Sequence, residues 1–288
     1  MRTIIVFAGV VLLAGCGGAR SRGLSVVAAE NVYGDIAAQI GGRDVSVTSI
    51  LSDPNADPHL FEPGTHNALA VATARVVIQN GAGYDTFMSK LERSSPNDER
   101  DVLVVADVLG VRGRDANPHL WYDLPRIARV ARAIADAFVR ADAAHASAYR
   151  SRLRTFTSSL VPVENQVAKI RRRFAGTEVA YTEAVPGYLL DAASLRNLAP
   201  ESFTRAIANG TEPSPQAVAD MDALMRQHRV HVLLYNGQAA SPITNRVRES
   251  AAKAGIPVVP VTETLPARRT FQAWQLAQAK ALYEALAR

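Results

Sequence analysis

The chain has 288 residues, 48% of them hydrophobic and 20% charged, with a formal net charge of +5. That length suggests about two domains, and that composition can bury a real core, which excludes disordered, collagen-like and coiled-coil classes. The basic excess is mild, aromatic residues make up 6%, and no basic stretch is interleaved with stacking rings, so nucleic-acid binding is not expected.

Residues 1–15 begin with Arg2 and an apolar run from Ile4 to Leu13, followed by small residues, as in a secretory signal peptide. The run is too short to span a bilayer, which takes about 20 residues. Leu13-Ala14-Gly15-Cys16 resembles the bacterial lipobox, which implies cleavage before Cys16 and lipid attachment to its thiol. Left unlipidated, the same protein would be secreted with a free thiol near its start. Cys16 is the single cysteine, so there is no internal disulfide and no thiolate metal cluster. Residues 16–23 are small and polar and read as a flexible tether. The body is therefore expected outside the cytoplasm, held to the cell membrane through lipid on its periplasmic or outer side.

Residues 24–122 alternate apolar β-branched runs with amphipathic stretches. Strands are predicted at Ser25–Ala29, Val45–Ile50, Arg75–Asn80 and Val102–Ala106, with helical patterns at Tyr33–Ile40 and Thr65–Ala74. The strands are apolar throughout, as in a parallel sheet covered on both faces. Residues 123–175 then read as helix alone. Asp123 is placed to cap one helix and Asp142 a longer one. In the second, Tyr149, Leu153, Phe156, Leu160, Val163, Val167, Ile170 and Phe174 form one stripe over about 45 Å. Pro162 interrupts that stripe and predicts a kink or break between 158 and 162. Residues 176–288 resume the alternation, with strands predicted at Glu178–Thr182, Val230–Tyr235 and Ile256–Val261. Ser214-Pro215 and Ser241-Pro242 read as helix starts, Gly255 as a helix stop, and Thr270–Ala287 as a last helix. The expected fold is α/β: two lobes, each a small, mostly parallel sheet flanked by helices, joined by a long backbone helix. No close sequence repeat relates the lobes.

Two segments resemble each other: Asp57-Pro58-His59-Leu60-Phe61-Glu62-Pro63 and Asn117-Pro118-His119-Leu120-Trp121-Tyr122-Asp123. Each sets a histidine after a proline, in a loop beyond a predicted strand. Proline restricts the backbone and lowers the entropy lost on holding the imidazole, and neutral imidazole is a common ligand for divalent metals. In open α/β sheets, ligands bind at the carboxyl edge where these loops lie.

These motifs, with Asn80-Gly81, Thr182-Glu183…Gly187-Tyr188 and Glu212-Pro213-Ser214-Pro215, resemble the metal-ion solute-binding lipoproteins of bacterial ABC importers, the zinc and manganese receptors. The resemblance covers residues 24–288. It implies two lobes with one metal between them and ligands at His59, His119, Glu183 and Glu263. Many zinc receptors carry histidine at the third position, and aspartate is usual at the fourth, so Glu263 departs from the pattern. Its extra methylene moves the carboxylate outward and allows chelation through both oxygens. The four residues stand 60, 64 and 80 positions apart, far too distant for a local finger. Two neutral imidazoles and two carboxylates carry a charge that one divalent cation neutralises. By themselves, Glu183 and Glu263 also fit carboxylates stabilised at helix N-termini.

Tyr235-Asn236-Gly237-Gln238 ends a predicted strand, where Tyr235, Asn236 and Gln238 would orient the ligands by hydrogen bonds; an ordinary turn fits equally. His66, His145, His228 and His231 read as surface residues, and Arg171-Arg172-Arg173 as a solvated helix end. Carboxylates lean the site toward Mn²⁺, whereas the affinity order favours Zn²⁺, with Fe²⁺ a third choice. The resemblance also implies a permease and a cytoplasmic ATPase as partners, and a monomeric receptor. No enzyme is expected: His-Glu-x-x-His, Gly-x-Ser-x-Gly and the phosphate-binding Gly-x4-Gly-Lys-Ser/Thr loop are all missing. A surface adhesin or metal sensor on the same scaffold is the alternative reading, and a secreted metallohydrolase a more distant one.

Overall fold

The structure is a computed structural model that describes residues 23–53, 58–113 and 115–288. Cys16, the signal segment and most of the tether lie outside the described residues. The first lobe runs β1 (Leu24–Glu30), α1 (Asn31–Gly41), β2 (Val45–Leu51), α2 (Thr65–Thr73), β3 (Val76–Gln79), α3 (Phe87–Ser94), β4 (Asp101–Val104) and α4 (Val105–Leu109). Three helices follow: α5 (Leu124–Ala141), α6 (Ala146–Ser159) and α7 (Val161–Phe174). The second lobe runs β5 (Glu178–Tyr181), α8 (Gly187–Ala192), β6 (Arg196–Asn197), α9 (Glu201–Ala208), α10 (Pro215–Arg226), β7 (Leu233–Asn236), α11 (Pro242–Lys253), β8 (Val258–Val261) and α12 (Phe271–Leu286).

Each lobe is built on a wholly parallel four-stranded sheet, ordered β2-β1-β3-β4 in the first and β6-β5-β7-β8 in the second. The orders are equivalent: in each, the chain leaves the first strand to one side and later returns to its other side. That reversal opens a crevice beyond the carboxyl ends of the strands. Both faces of each sheet are covered, which explains the uninterrupted apolar runs. In β1, Val26 and Ala28 face a large core shared with α1 and α5, while Val27 and Ala29 face α2 and α3. In the second lobe, Val179, Leu234 and Val261 enter that same large core with α7 and α12, while Ala180 and Leu233 pack against α10 and α11. One continuous apolar core therefore ties the lobes together.

The lobes are also tied by polar contacts. Asn31, opening α1, donates through Nδ2 to the Leu265 carbonyl and accepts the Leu265 N–H, both at 2.8 Å. Asp35 accepts the Phe271 N–H at 2.8 Å, and the Gln39 and Gln272 amides bond each other. The stretch after β8 thus lies against the first lobe.

The apolar stripe of the connector is buried as its spacing predicts, from Tyr149 and Phe156 through Leu160 to Ile170. Its helix is nevertheless two helices. Pro162 sits in the first turn of α7, where its missing N–H would have no partner anyway. Asp142 does not cap α6 directly. It ends α5, and its Oδ2 binds His145 Nδ1 and the Tyr149 hydroxyl, each at 2.7 Å, across a 3-10 turn. Asp123 stands at the start of α5 but pairs with Arg126 instead of capping. Val105 and Ala106, expected in a strand, begin α4, which Gly110 ends at φ +70°; a short apolar run does not distinguish strand from buried helix. Ser214 and Ser241 do cap α10 and α11. Among the described residues no helix is long and apolar enough to cross a membrane.

Candidate metal centre

Five of the strand ends deliver polar residues to the seam between the lobes. Glu30 closes β1, Asn80 follows β3, Thr182 and Glu183 follow β5, Asn236 closes β7, and Glu263 is the second residue after β8. His119 comes from the loop between α4 and α5. Ligand atoms of His119, Glu183 and Glu263 lie within 4.8 Å of one another, and all three residues are buried. His119 Nε2 is 3.8 Å from Glu183 Oε1 and 3.4 Å from Glu263 Oε2.

Proline and asparagine explain how the imidazole is aimed. Asn117 Oδ1 accepts the His119 N–H at 3.1 Å and stands 2.7 Å from His119 Nδ1. An amide oxygen there calls for a proton on Nδ1, which leaves Nε2 as a lone-pair donor facing the carboxylates. Among the described residues the buried Nε2 has no hydrogen-bond partner. Asn117 is itself held from the second lobe: its Nδ2 donates to the Ala184 carbonyl at 2.7 Å, and the Tyr188 hydroxyl donates to the Asn117 carbonyl. Gly187 is required beside it, since a Cβ there would come within 2.6 Å of Asn117 Nδ2.

The other side of the histidine loop rests on Asn80. Its Nδ2 donates to the Pro118 carbonyl at 2.8 Å, and its Oδ1 accepts the Tyr33 hydroxyl at 2.6 Å. Asp85 accepts the backbone N–H groups of Asn80 and Gly81, fixing a tight turn in which Gly81 adopts φ +75°. A Cβ on Gly81 would sit 2.6 Å from Val104. That turn presents Tyr84, whose hydroxyl donates to Glu263 Oε2 at 2.9 Å. Burial, then the Glu263 charge, pushes the Tyr84 hydroxyl well above the ordinary phenol range, so it stays a donor.

The carboxylates are placed by amides. Asn236 Nδ2 donates to both Glu183 Oε2 and Glu263 Oε1, each at 2.7 Å. Gln238 Oε1 accepts the Glu263 N–H at 2.6 Å, and its Nε2 donates to Thr264. Tyr122 and Trp274 hold Thr262 from either side. A cavity of about 660 Å³ leads from solvent past Asp191 and Arg205 to Asn117, Tyr84 and His119.

Three of the sequence-derived ligands therefore converge. Pro58, His59 and Leu60 form a 3-10 turn beyond β2, but the His59 side chain lies outside the described residues, as do residues 54–57. Asn236 and Gln238 touch the carboxylates. Tyr235 stands apart: its hydroxyl donates to Asn245 on α11. His66, His145, His228 and His231 are exposed. Tyr84 and Asn117 were given no role by sequence, although Asn117 opens the quoted segment Asn117–Asp123 and Tyr84 stands three residues after Asn80-Gly81.

The family described as ZnuA, zinc-uptake complex component A, periplasmic, matches residues 26–285. The chain belongs to the ZnuA family. Its members are extracytoplasmic metal-binding receptors of ABC importers, and the paired parallel sheets agree with that family's fold. This ZnuA-family chain is 26% identical to the manganese-binding lipoprotein MntA of Bacillus subtilis over 144 residues, 48% of this chain and 46% of that protein. It is 22% identical to the iron-binding protein YfeA of Yersinia pestis over 244 residues, 80% of this chain and 75% of that one. The laminin-binding protein Lmb of Streptococcus agalactiae, described as having adhesin and metal-transporting activity, has the same fold. It superposes with a TM-score of 0.77 at 19% identity, over 92% of this chain and 100% of that one.

Proposed function

We propose that this receptor captures one first-row divalent ion at His119, Glu183 and Glu263, with His59 as a fourth ligand, and delivers it to a membrane permease driven by a cytoplasmic ATPase. The observation that carries the reading is the buried convergence of one imidazole nitrogen and two carboxylates within 4.8 Å. Two buried anions and an imidazole lone pair need a positive charge between them, and a dication supplies it. The donor set of nitrogen and oxygen fits Zn²⁺, Mn²⁺ and Fe²⁺. Binding strips the ion's water and involves no chemical step. Lipid at Cys16 would keep the receptor beside its permease.

The test is elemental analysis of protein purified without added metal, followed by chelation and titration with Zn²⁺, Mn²⁺ and Fe²⁺. One tightly held equivalent is expected, and none in His119→Ala. A wild-type protein that takes up no ion, or an alanine variant that retains it, refutes the site.

A further inference from the structure

Asn236 lies between the two carboxylates, and its amide is fully committed. Nδ2 gives one N–H to Glu183 Oε2 and one to Glu263 Oε1, Oδ1 accepts the Gln238 N–H at 3.0 Å, and the backbone N–H donates to Thr182 Oγ1 at 3.0 Å. The residue is 1% exposed. Its orientation is fixed by these partners: turned over, the amide would set an oxygen against two carboxylates and an NH₂ against an N–H donor. The oxygens that Asn236 does not hold, Glu183 Oε1 and Glu263 Oε2, are the ones nearest His119 Nε2.

We propose that Asn236 sets the metal selectivity of the site by limiting each carboxylate to one donor oxygen. This rests on the metal-binding reading above. For either glutamate to chelate an ion through both oxygens, the oxygen that accepts the Asn236 N–H has to turn its remaining lone pair to the ion, at the expense of its charge-assisted bond to Asn236. The geometry of the clamp also addresses the longer reach of glutamate at position 263: the bond from Asn236 competes with chelation through Oε1. Tyr84, bonded to Glu263 Oε2, crowds the remaining oxygen from the opposite lobe. A compact set of nitrogen and single oxygens suits the tetrahedral preference of Zn²⁺, whereas Mn²⁺ favours oxygen-rich octahedral sites. The clamp therefore handicaps manganese relative to zinc in a site whose residue types alone lean the other way.

The test measures Zn²⁺ and Mn²⁺ dissociation constants by chelator competition on the full-length wild type and on Asn236→Ala and Asn236→Ser. X-ray absorption then counts the oxygens around each bound ion. Expected are single-oxygen carboxylates in the wild type. The Mn²⁺ to Zn²⁺ affinity ratio should rise at least tenfold in Asn236→Ala, with an added oxygen neighbour around Mn²⁺, and by less in Asn236→Ser, which keeps one donor. A ratio unchanged within twofold, or an equal loss for both ions, overturns the proposal. So does chelation by both carboxylates in manganese-loaded wild type, a result that needs no variant to fold. Wild type that binds neither ion refutes the metal reading itself, while normal binding with an unmoved ratio refutes only the clamp.

Discussion

In the first lobe the ligand that the structure describes is a loop histidine, aimed by Asn117 and by the Asn80 turn beneath it. In the second lobe the ligands are carboxylates beyond the ends of β5 and β8, the two strands that flank β7, bridged by the amide at the end of β7 and backed by another. The sheets have the same strand order, so the difference does not come from topology. It comes from what each crevice must hold. A neutral imidazole has to be given a tautomer and a direction, which one acceptor at Nδ1 achieves. Two like charges have to be kept together in a buried seam, which takes N–H donors. The lesson is that one architecture can supply either a directional neutral donor or a compensated anionic pair, depending on which short side chains cap its strands.

The strongest way to break this comparison is to remove the imidazole. His119→Ala is expected to weaken metal binding by more than about a hundredfold, because even the partners behind a ligand are worth about 10–100-fold. Far-UV circular dichroism should not change, and retained affinity would refute the site.

Next come the two positioning amides, one from each lobe. Asn117→Ala is expected to weaken binding by about 10–100-fold, since its Oδ1 fixes the imidazole tautomer. Gln238→Ala should fall at the low end of that range, about tenfold, because Asn236 and Tyr84 still hold Glu263. Equal losses in titration calorimetry would erase the proposed difference between lobes.

Helix caps in the second lobe provide a control away from the metal. Ser214→Ala and Ser241→Ala should each destabilise the fold by about 1 kcal/mol in urea unfolding, leaving metal affinity untouched; an altered affinity would mean that the carboxylate lobe is less rigid than described.

The smallest expected effect is a slope. Glu30 is buried beside Asp85 in the first lobe, and burial first, then the Asp85 charge, raises its carboxyl well above the ordinary value of 4.5. The folded state therefore binds this proton more tightly than the unfolded state. The associated stability is fully present below the unfolded value and is lost as pH rises through the raised folded one. Glu30→Gln should flatten that loss in urea midpoints measured from acid to neutral pH, and parallel curves for the two proteins would contradict it.

Much of this was legible in the sequence, for physical reasons that differ by residue. The strands of both sheets show as apolar runs because both faces are covered, and Ser-Pro pairs mark two helix starts through their caps. Strand β6 has two residues and leaves no pattern. His119 stands out through Pro118 and the aromatic residues after it, whereas Glu183 and Glu263 were nominated by resemblance, since a carboxylate after a strand has no signature of its own. Tyr235 was grouped with Asn236 by adjacency, yet successive strand residues point to opposite faces, and the structure turns the tyrosine toward α11. Tyr84 and Asn117 act through contacts 179 and 67 residues away, which no local pattern carries.

The bonds that Asn31, Asp35 and Gln39 make to residues 265–272 have a mechanical consequence. They fasten the strand end that bears Glu263 to the opposite lobe, while the loop that bears Glu183 is tied across by the bonds that Asn117 makes with Ala184 and Tyr188. If the sheets swing apart as rigid plates, the hinge line cannot run freely between them: either the Asn31 latch on Leu265 gives way, or the amide bridge from Asn236 to Glu263 is pulled open. Where the Asn31 latch holds and the Asn117 bonds yield, unloading by such a swing begins by drawing the two acids apart, leaving the cargo with half its countercharge.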